Sequence, residues 1–149
     1  MTTRIPHSSP AFTLVEMLVV LAIISLLAGV VVLNVAPHLL AGSQGKAKAQ
    51  IQVFTTALQT YRMEQGRYPT REQGLEALVQ KPTIPPIPPR YPDAGYLGSR
   101  TLPLDPWDAP YIYLIPGRQG EAFEVLTYGA DGEEGGTGAD QDISSAHMQ

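Results

Sequence analysis

Seventeen consecutive residues, Met17 to Leu33, carry no charge, and only Ser25 and Gly29 interrupt their apolar character. The wider stretch Phe12–Ala36 holds 25 residues. As an α-helix it extends roughly 37 Å at about 1.5 Å per residue. That length crosses a bilayer core of about 30 Å. Three readings compete. A buried core helix would be shorter and would turn a polar stripe to water. A secretory signal needs a shorter apolar region with a small-x-small cleavage site behind it, and Leu33–Ala36 makes a poor one. A transmembrane anchor fits the length and the missing stripe, and is the reading we favour. It divides the chain into a polar segment 1–11, an anchor helix 12–36 and a polar domain 37–149.

Composition narrows what that domain does. Ten Lys and Arg stand against fourteen Asp and Glu, a net charge of −4. The basic footprint of a nucleic-acid binder is missing. With no Cys there is no disulfide framework and no thiolate metal or redox site. The three His are His7, His38 and His147, and no HExxH, GxSxG or GxxxxGK[ST] occurs. An enzyme is a poor first reading.

Glu16 is the one acid inside the apolar stretch. A charge within a bilayer costs a few kcal/mol even on lenient scales. It lies either at the membrane interface or against a cation made in the membrane. A new α-amino group, formed by cleavage before Phe12, would lie one helical turn away or within reach from a neighbouring copy.

Beyond the anchor, Ala47, Ile51, Phe54, Leu58 and Tyr61 recur at spacings of 4, 3, 4 and 3. They predict one apolar helix face, with Lys46, Lys48, Gln50, Gln52, Gln59 and Arg62 off it. Gly66 and Pro69 end the helix near Gln65, and Pro37, Gly42 and Gly45 predict a local weakness. Thr70 and Gln73 form a capping box that predicts a short helix to about Gln80, with Leu75, Leu78 and Val79 inward. Six prolines between Pro82 and Pro92 predict a stiff surface loop, a PxxP ligand being the rival reading. Leu102–Trp107 reads as an extended turn. Tyr111–Ile115 and Glu121–Tyr128 predict a hairpin about the turn Pro116–Gly120, with Phe123, Val125 and Thr127 on one face. A long helix on a small antiparallel sheet is an α+β, two-layer fold.

From Gln119 onward there are seven acids and no Lys or Arg, and five of the fourteen glycines fall between Gly129 and Gly138. Such a segment is either a solvated acidic tail or a loop ordered by a cation. Calcium suits a cation-ordered loop, because carboxylate and backbone oxygens are its ligands and glycines let the chain curl. Zinc would want His or Cys. No EF-hand spacing is present.

Ala11-Phe12-Thr13-Leu14-Val15-Glu16 resembles the class III signal of type IV pilins and pseudopilins, with Ala11 where Gly is usual. Arg67-Tyr68-Pro69-Thr70, Glu72-Gln73-Gly74-Leu75-Glu76-Ala77-Leu78, Leu102-Pro103-Leu104-Asp105-Pro106-Trp107, Pro110-Tyr111-Ile112-Tyr113 and Gly129-Ala130-Asp131-Gly132 resemble, more narrowly, the major pseudopilins of type II secretion systems. The resemblance implies a pilin-like fold and a leader 1–11 removed by a prepilin peptidase. Cleavage then falls at Ala11|Phe12, with methylation of Phe12. Glu16 pairs with a neighbour's N-terminus during assembly. It implies a structural Ca²⁺ in the acidic loop, held by the carboxylates of Asp131, Asp140 and Asp142 and the backbone oxygens of Tyr128 and Glu133, with Thr137 a further donor. The implied location is the bacterial inner membrane, crossed once, with the C-terminal domain in the periplasm. The implied partners are membrane lipid before assembly, copies of the same chain through the N-terminal helix, minor pseudopilins and the inner-membrane secretion platform. The rival readings are a type IV or competence-type pilin and a membrane-tethered periplasmic binding protein or enzyme.

Overall fold

The computed structural model describes residues 13–148, and for 28–40 it describes the backbone alone. Helix α1 runs Leu14–Gln65. Thr13 opens it: its hydroxyl accepts the Glu16 amide N–H at 3.2 Å, satisfying one of the first-turn donors that a helix leaves free. Gly66 closes it with a left-handed φ of +74°, its amide donating to the Arg62 carbonyl at 2.8 Å. The weakness expected between Pro37 and Gly45 does not interrupt the helix. Proline removes one intrahelical donor, and a 52-residue helix retains the bonds on either side.

The chain divides into two compact units between Leu39 and Leu40. In the second unit the expected stripe forms the core: Ala47, Ile51, Phe54, Leu58 and Tyr61 are all buried. It packs against Leu75, Leu78, Val125 and Ile143. Phe54 meets Tyr111 edge-on, ring centroids 5.1 Å apart, a favoured aromatic geometry.

The sheet is antiparallel, order β1-β2-β3, with β1 Ile112–Leu114, β2 Glu124–Thr127 and β3 Ile143–Ser144. The hairpin register pairs Ile112 with Leu126 and Leu114 with Glu124. In the connecting turn, the Gly117 amide donates to the Glu121 carbonyl at 2.9 Å. β3 was not foreseen from the sequence. It places β2 in the middle, so all four β2 residues are buried rather than one face only.

The capping box forms as expected, the Thr70 amide donating to Gln73 Oε1 at 3.1 Å and the Gln73 amide to Thr70 Oγ1 at 3.2 Å. The short helix expected after it, to about Gln80, is cut down to four residues and is not α-helical. A turn leads into a single 3-10 turn, Leu75–Leu78. Gly74 at φ +58° leaves the right-handed region, so the α-helical ladder cannot propagate through it. The proline segment 82–92 forms neither helix nor strand. Gln73 Nε2 fastens it, donating to the carbonyls of Ile84 at 2.8 Å and Pro86 at 3.1 Å.

Candidate functional site: an exposed apolar helix and an acidic loop

Two regions carry the residues that stand out in the sequence. The first is the start of α1. Ala11 and Phe12 lie outside the described residues. Glu16 is the third residue of the helix and is exposed. Thr13 and Glu16 have capping-box spacing, a local reason for a carboxylate here that the sequence reading missed. The partial positive charge of a helix N-terminus favours it as well. Around Glu16 the surface is apolar: Leu14 is 79% exposed, Leu18 58%, Leu21 59% and Leu26 71%. Among the described residues no helix is long and apolar enough to cross a membrane. The apolar side chains that are described, Leu14 to Leu27, span about 21 Å as helix, and the next thirteen side chains, 28–40, lie outside the described ones.

The second region is the acidic loop between β2 and β3. Its ends meet: the Ala130 amide donates to the Ala139 carbonyl at 3.0 Å, and a Cβ on Gly129 would lie 2.8 Å from that same oxygen. At the far end of the loop, a Cβ on Gly136 would lie 2.9 Å from the Asp140 carbonyl carbon. Three contacts hold the loop from outside and within. Gln44 of α1 donates Nε2 to the Gly138 carbonyl at 2.7 Å. Arg118 Nη1 donates to Glu134 Oε1 at 2.8 Å. The Asp142 amide donates to the Gly135 carbonyl at 3.3 Å.

The predicted metal ligands occupy this loop without forming a common cluster. Asp131 Oδ1 accepts the Glu133 amide at 3.1 Å, and Asp142 Oδ1 accepts the Gly135 amide at 3.0 Å. Asp140 is half-buried at the end of a 3-10 turn, Gly138–Asp140, that follows Thr137. Tyr128 is half-buried, and Glu133 and Thr137 are exposed. Among the described residues no three His, Cys, Asp or Glu gather closely enough to hold an ion. The donor chemistry nevertheless fits calcium: every side-chain donor of the segment is oxygen, and the two glycine contacts leave backbone where a side chain would fill the space.

Behind the loop stands an ion pair that sequence reasoning did not single out. Glu124, the first residue of the central strand β2, is 1% exposed. Arg118 binds it through Nε and Nη2 and reaches Glu134 with Nη1. The Ser144 hydroxyl of β3 donates to Glu124 Oε1 at 2.6 Å. Burial pushes the Glu124 carboxyl up, but the bonds from Arg118 and Ser144 outweigh it and hold it down at about 2. The same Glu124 bonds raise Arg118 above its ordinary value. The sequence offered one signal for this pair: the last cation of the chain directly precedes its acid-only region.

Comparison with known proteins matches these regions to two family models. The one described as type II secretion system (T2SS), protein G covers residues 34–146, and the prokaryotic N-terminal methylation motif covers residues 8–32. The type II secretion system core protein G of Vibrio cholerae is 44% identical over 93% of this chain and 92% of its own length. That of Pseudomonas aeruginosa is 43% identical over 90% and 92%, and that of Dickeya chrysanthemi 46% identical over 81% and 77%. Among solved structures, the major pseudopilin from the type 2 secretion system of enterohaemorrhagic Escherichia coli superposes with a TM-score of 0.59 at 36% identity, over 70% of this chain and 87% of that one.

Proposed function

The chain belongs to the type II secretion system protein G family, and from that premise we propose that it is the major structural subunit of a pseudopilus. In this reading copies of the chain polymerise into a periplasmic filament that helps folded proteins leave across the outer membrane. The match to protein G over residues 34–146 favours this over a type IV or competence-type pilin and over a tethered binding protein or enzyme. We assign the chain a structural role and no catalytic one.

One observation carries the assembly step. The start of α1 bears a surface of exposed Leu, Val and Ile side chains with a single carboxylate, Glu16, at its third position. An apolar surface of that extent needs a cover. Lipid of the inner membrane covers it before assembly, and the helices of neighbouring copies cover it in the filament. Repeated heterologous contacts between identical subunits build an open helix. Within that apolar core Glu16 needs a cation. The amine made when a prepilin peptidase cuts between Ala11 and Phe12 supplies one, and N-methylation of Phe12 leaves its charge in place. The match to the N-terminal methylation motif over residues 8–32 supports this processing. The domain after the anchor then lies in the periplasm, where minor pseudopilins and the inner-membrane secretion platform are its further partners.

The acidic loop is read as a structural calcium site, with Asp131, Asp140 and Asp142 and the backbone oxygens of Tyr128 and Glu133 as the donors and Thr137 beside them. Bound calcium supplies charge neutralisation that closes the loop. The chain's own part is to gather oxygens on a glycine-rich backbone against β2 and β3. An ion bound only by the folded state stabilises that state. Calcium titrated into the detergent-extracted chain therefore raises its melting temperature, and an unchanged melting temperature in excess EGTA overturns the calcium reading.

Assembly is tested by cross-linking in membranes that contain the rest of the secretion system. The wild-type chain gives a ladder of oligomers and supports export. Glu16→Ala loses both while remaining in the membrane. A Glu16→Ala chain that polymerises and exports like wild type overturns the assembly mechanism.

A further inference from the structure

The segment Leu102–Trp107 reads in the sequence only as a turn, yet its acid is almost fully enclosed: Asp105 is 5% exposed. Asp105 Oδ1 accepts the amides of Trp107 at 2.9 Å and Ala109 at 2.8 Å. Its own amide donates to the Ala109 carbonyl at 2.9 Å. Those bonds fix the carboxylate within its own turn. Oδ2 is left for a different element and accepts the hydroxyl hydrogen of Thr127, the last residue of β2, which is 1% exposed. The Thr127 oxygen in turn accepts the Gly129 amide at 3.3 Å.

This relay ends at an informative place. Gly129 N–H and the Tyr128 carbonyl belong to one planar peptide unit, and that unit is trans. Whatever fixes the direction of the N–H fixes the C=O in the opposite direction. Gly129 is also where the acidic loop closes: it holds φ +75°, and a Cβ there would lie 2.8 Å from both the Ala139 oxygen and the Asp140 carbonyl carbon.

We propose that Asp105 is a positioning residue for the acidic loop, acting through the Thr127 hydroxyl to fix the Tyr128–Gly129 peptide and so the direction of the Tyr128 carbonyl. The consequence for metal affinity rests on the calcium reading of that loop, in which the Tyr128 oxygen is a donor. The hydroxyl's polarity is what carries the effect. A hydroxyl has one hydrogen and two lone pairs. With Asp105 taking the hydrogen, both lone pairs remain for donors, and the Gly129 amide uses one. An amide at position 105 can turn its NH₂ toward Thr127, which leaves the hydroxyl hydrogen without that acceptor in a buried setting. Valine at 127 keeps the shape and removes both bonds.

The test uses the full chain extracted in detergent, with amide hydrogen exchange followed by mass spectrometry in EGTA and calcium binding by titration with CaCl₂. In Thr127→Val the Gly129 and Ala130 amides exchange about five- to tenfold faster than in wild type, as loss of one intramolecular bond predicts. Exchange in the α1 core around Phe54 and Leu58 stays as in wild type. Thr127→Ser restores protection, and Asp105→Asn falls between. Calcium binding weakens at least about tenfold in Thr127→Val, the scale on which removing a group that orients a metal ligand acts, and recovers in Thr127→Ser. Exchange at Gly129 and Ala130 that is unchanged in Thr127→Val overturns the proposal. So does a loss of protection that spreads equally through the α1 core, or one that Thr127→Ser leaves unrescued. A wild-type chain that binds no calcium overturns the calcium reading instead, and the exchange measurement in EGTA still decides the positioning role.

Discussion

Arg118 closes on the buried carboxylate of Glu124 from two parts of the residue: its side chain donates to Oε1 at 2.9 Å and to Oε2 at 3.1 Å, and its backbone amide donates to Oε2 at 3.1 Å. The arginine is about one-third exposed while its partner is almost wholly enclosed. Its remaining Nη1 reaches Glu134. One side chain therefore joins the middle strand of the sheet to the acidic loop.

That pair gives stability a defined pH window. Burial alone would raise the Glu124 carboxyl, but the bonds from Arg118 and Ser144 hold it at about 2, below its ordinary 4.5. A carboxyl depressed in the folded state binds protons more readily when unfolded. Its stabilisation is therefore complete above about pH 4.5 and fades as pH falls toward 2. Wild type is expected to exceed Glu124→Gln by about 3 kcal/mol at neutral pH, with the gap narrowing below pH 4.5. Urea unfolding of both chains across pH 2–7 measures it, and a gap independent of pH contradicts the assignment.

Gln73 joins the capping box to the proline loop, donating to two carbonyls, those of Ile84 and Pro86. It is 6% exposed, and its removal cuts two part-buried hydrogen bonds at once. Gln73→Ala is expected to cost about 1–3 kcal/mol and to open residues 82–92 to protease, measured by urea unfolding and timed digestion. A loop as resistant as wild type would show that the prolines stiffen it unaided.

Two loop glycines separate crowding from backbone strain. Gly132 and Gly136 both hold positive φ, +70° and +78°, but only Gly136 has neighbours where a Cβ would go. Gly132→Ala bears the left-handed penalty alone, roughly 1–2 kcal/mol. Gly136→Ala adds a collision with the Asp140 backbone. Thermal melts, with and without calcium, are expected to rank Gly136→Ala well below Gly132→Ala. Equal melting temperatures would mean that the loop does not close on Asp140.

The parts of the fold visible in the sequence were those set by local periodicity. Ala47, Ile51, Phe54, Leu58 and Tyr61 announce their helix face because the 3.6-residue repeat is written along the chain. The Pro116–Gly120 turn announces the hairpin in the same way. β3 was hidden because Ile143–Ser144 is two residues long, and its pairing with Leu126 and Thr127 is decided across a long loop. The Gly74 break was legible in principle, since a glycine directly after a capping box can leave the helical region. In the candidate site, Glu16 stood out because a charge in an apolar run is costly. Asp105 did not, because its contact with Thr127 lies 22 residues along the chain, and Arg118 showed only as the last cation before the acid-only region.

The account turns on Glu16 gaining a partner from a newly made N-terminus, and mass spectrometry of the N-terminal peptide from membrane-extracted protein tests that most directly. The predicted peptide begins at Phe12 and carries one added methyl group on its amine. A chain that keeps residues 1–11 in the assembled filament would contradict it, because no new amine would then stand within a helical turn of Glu16.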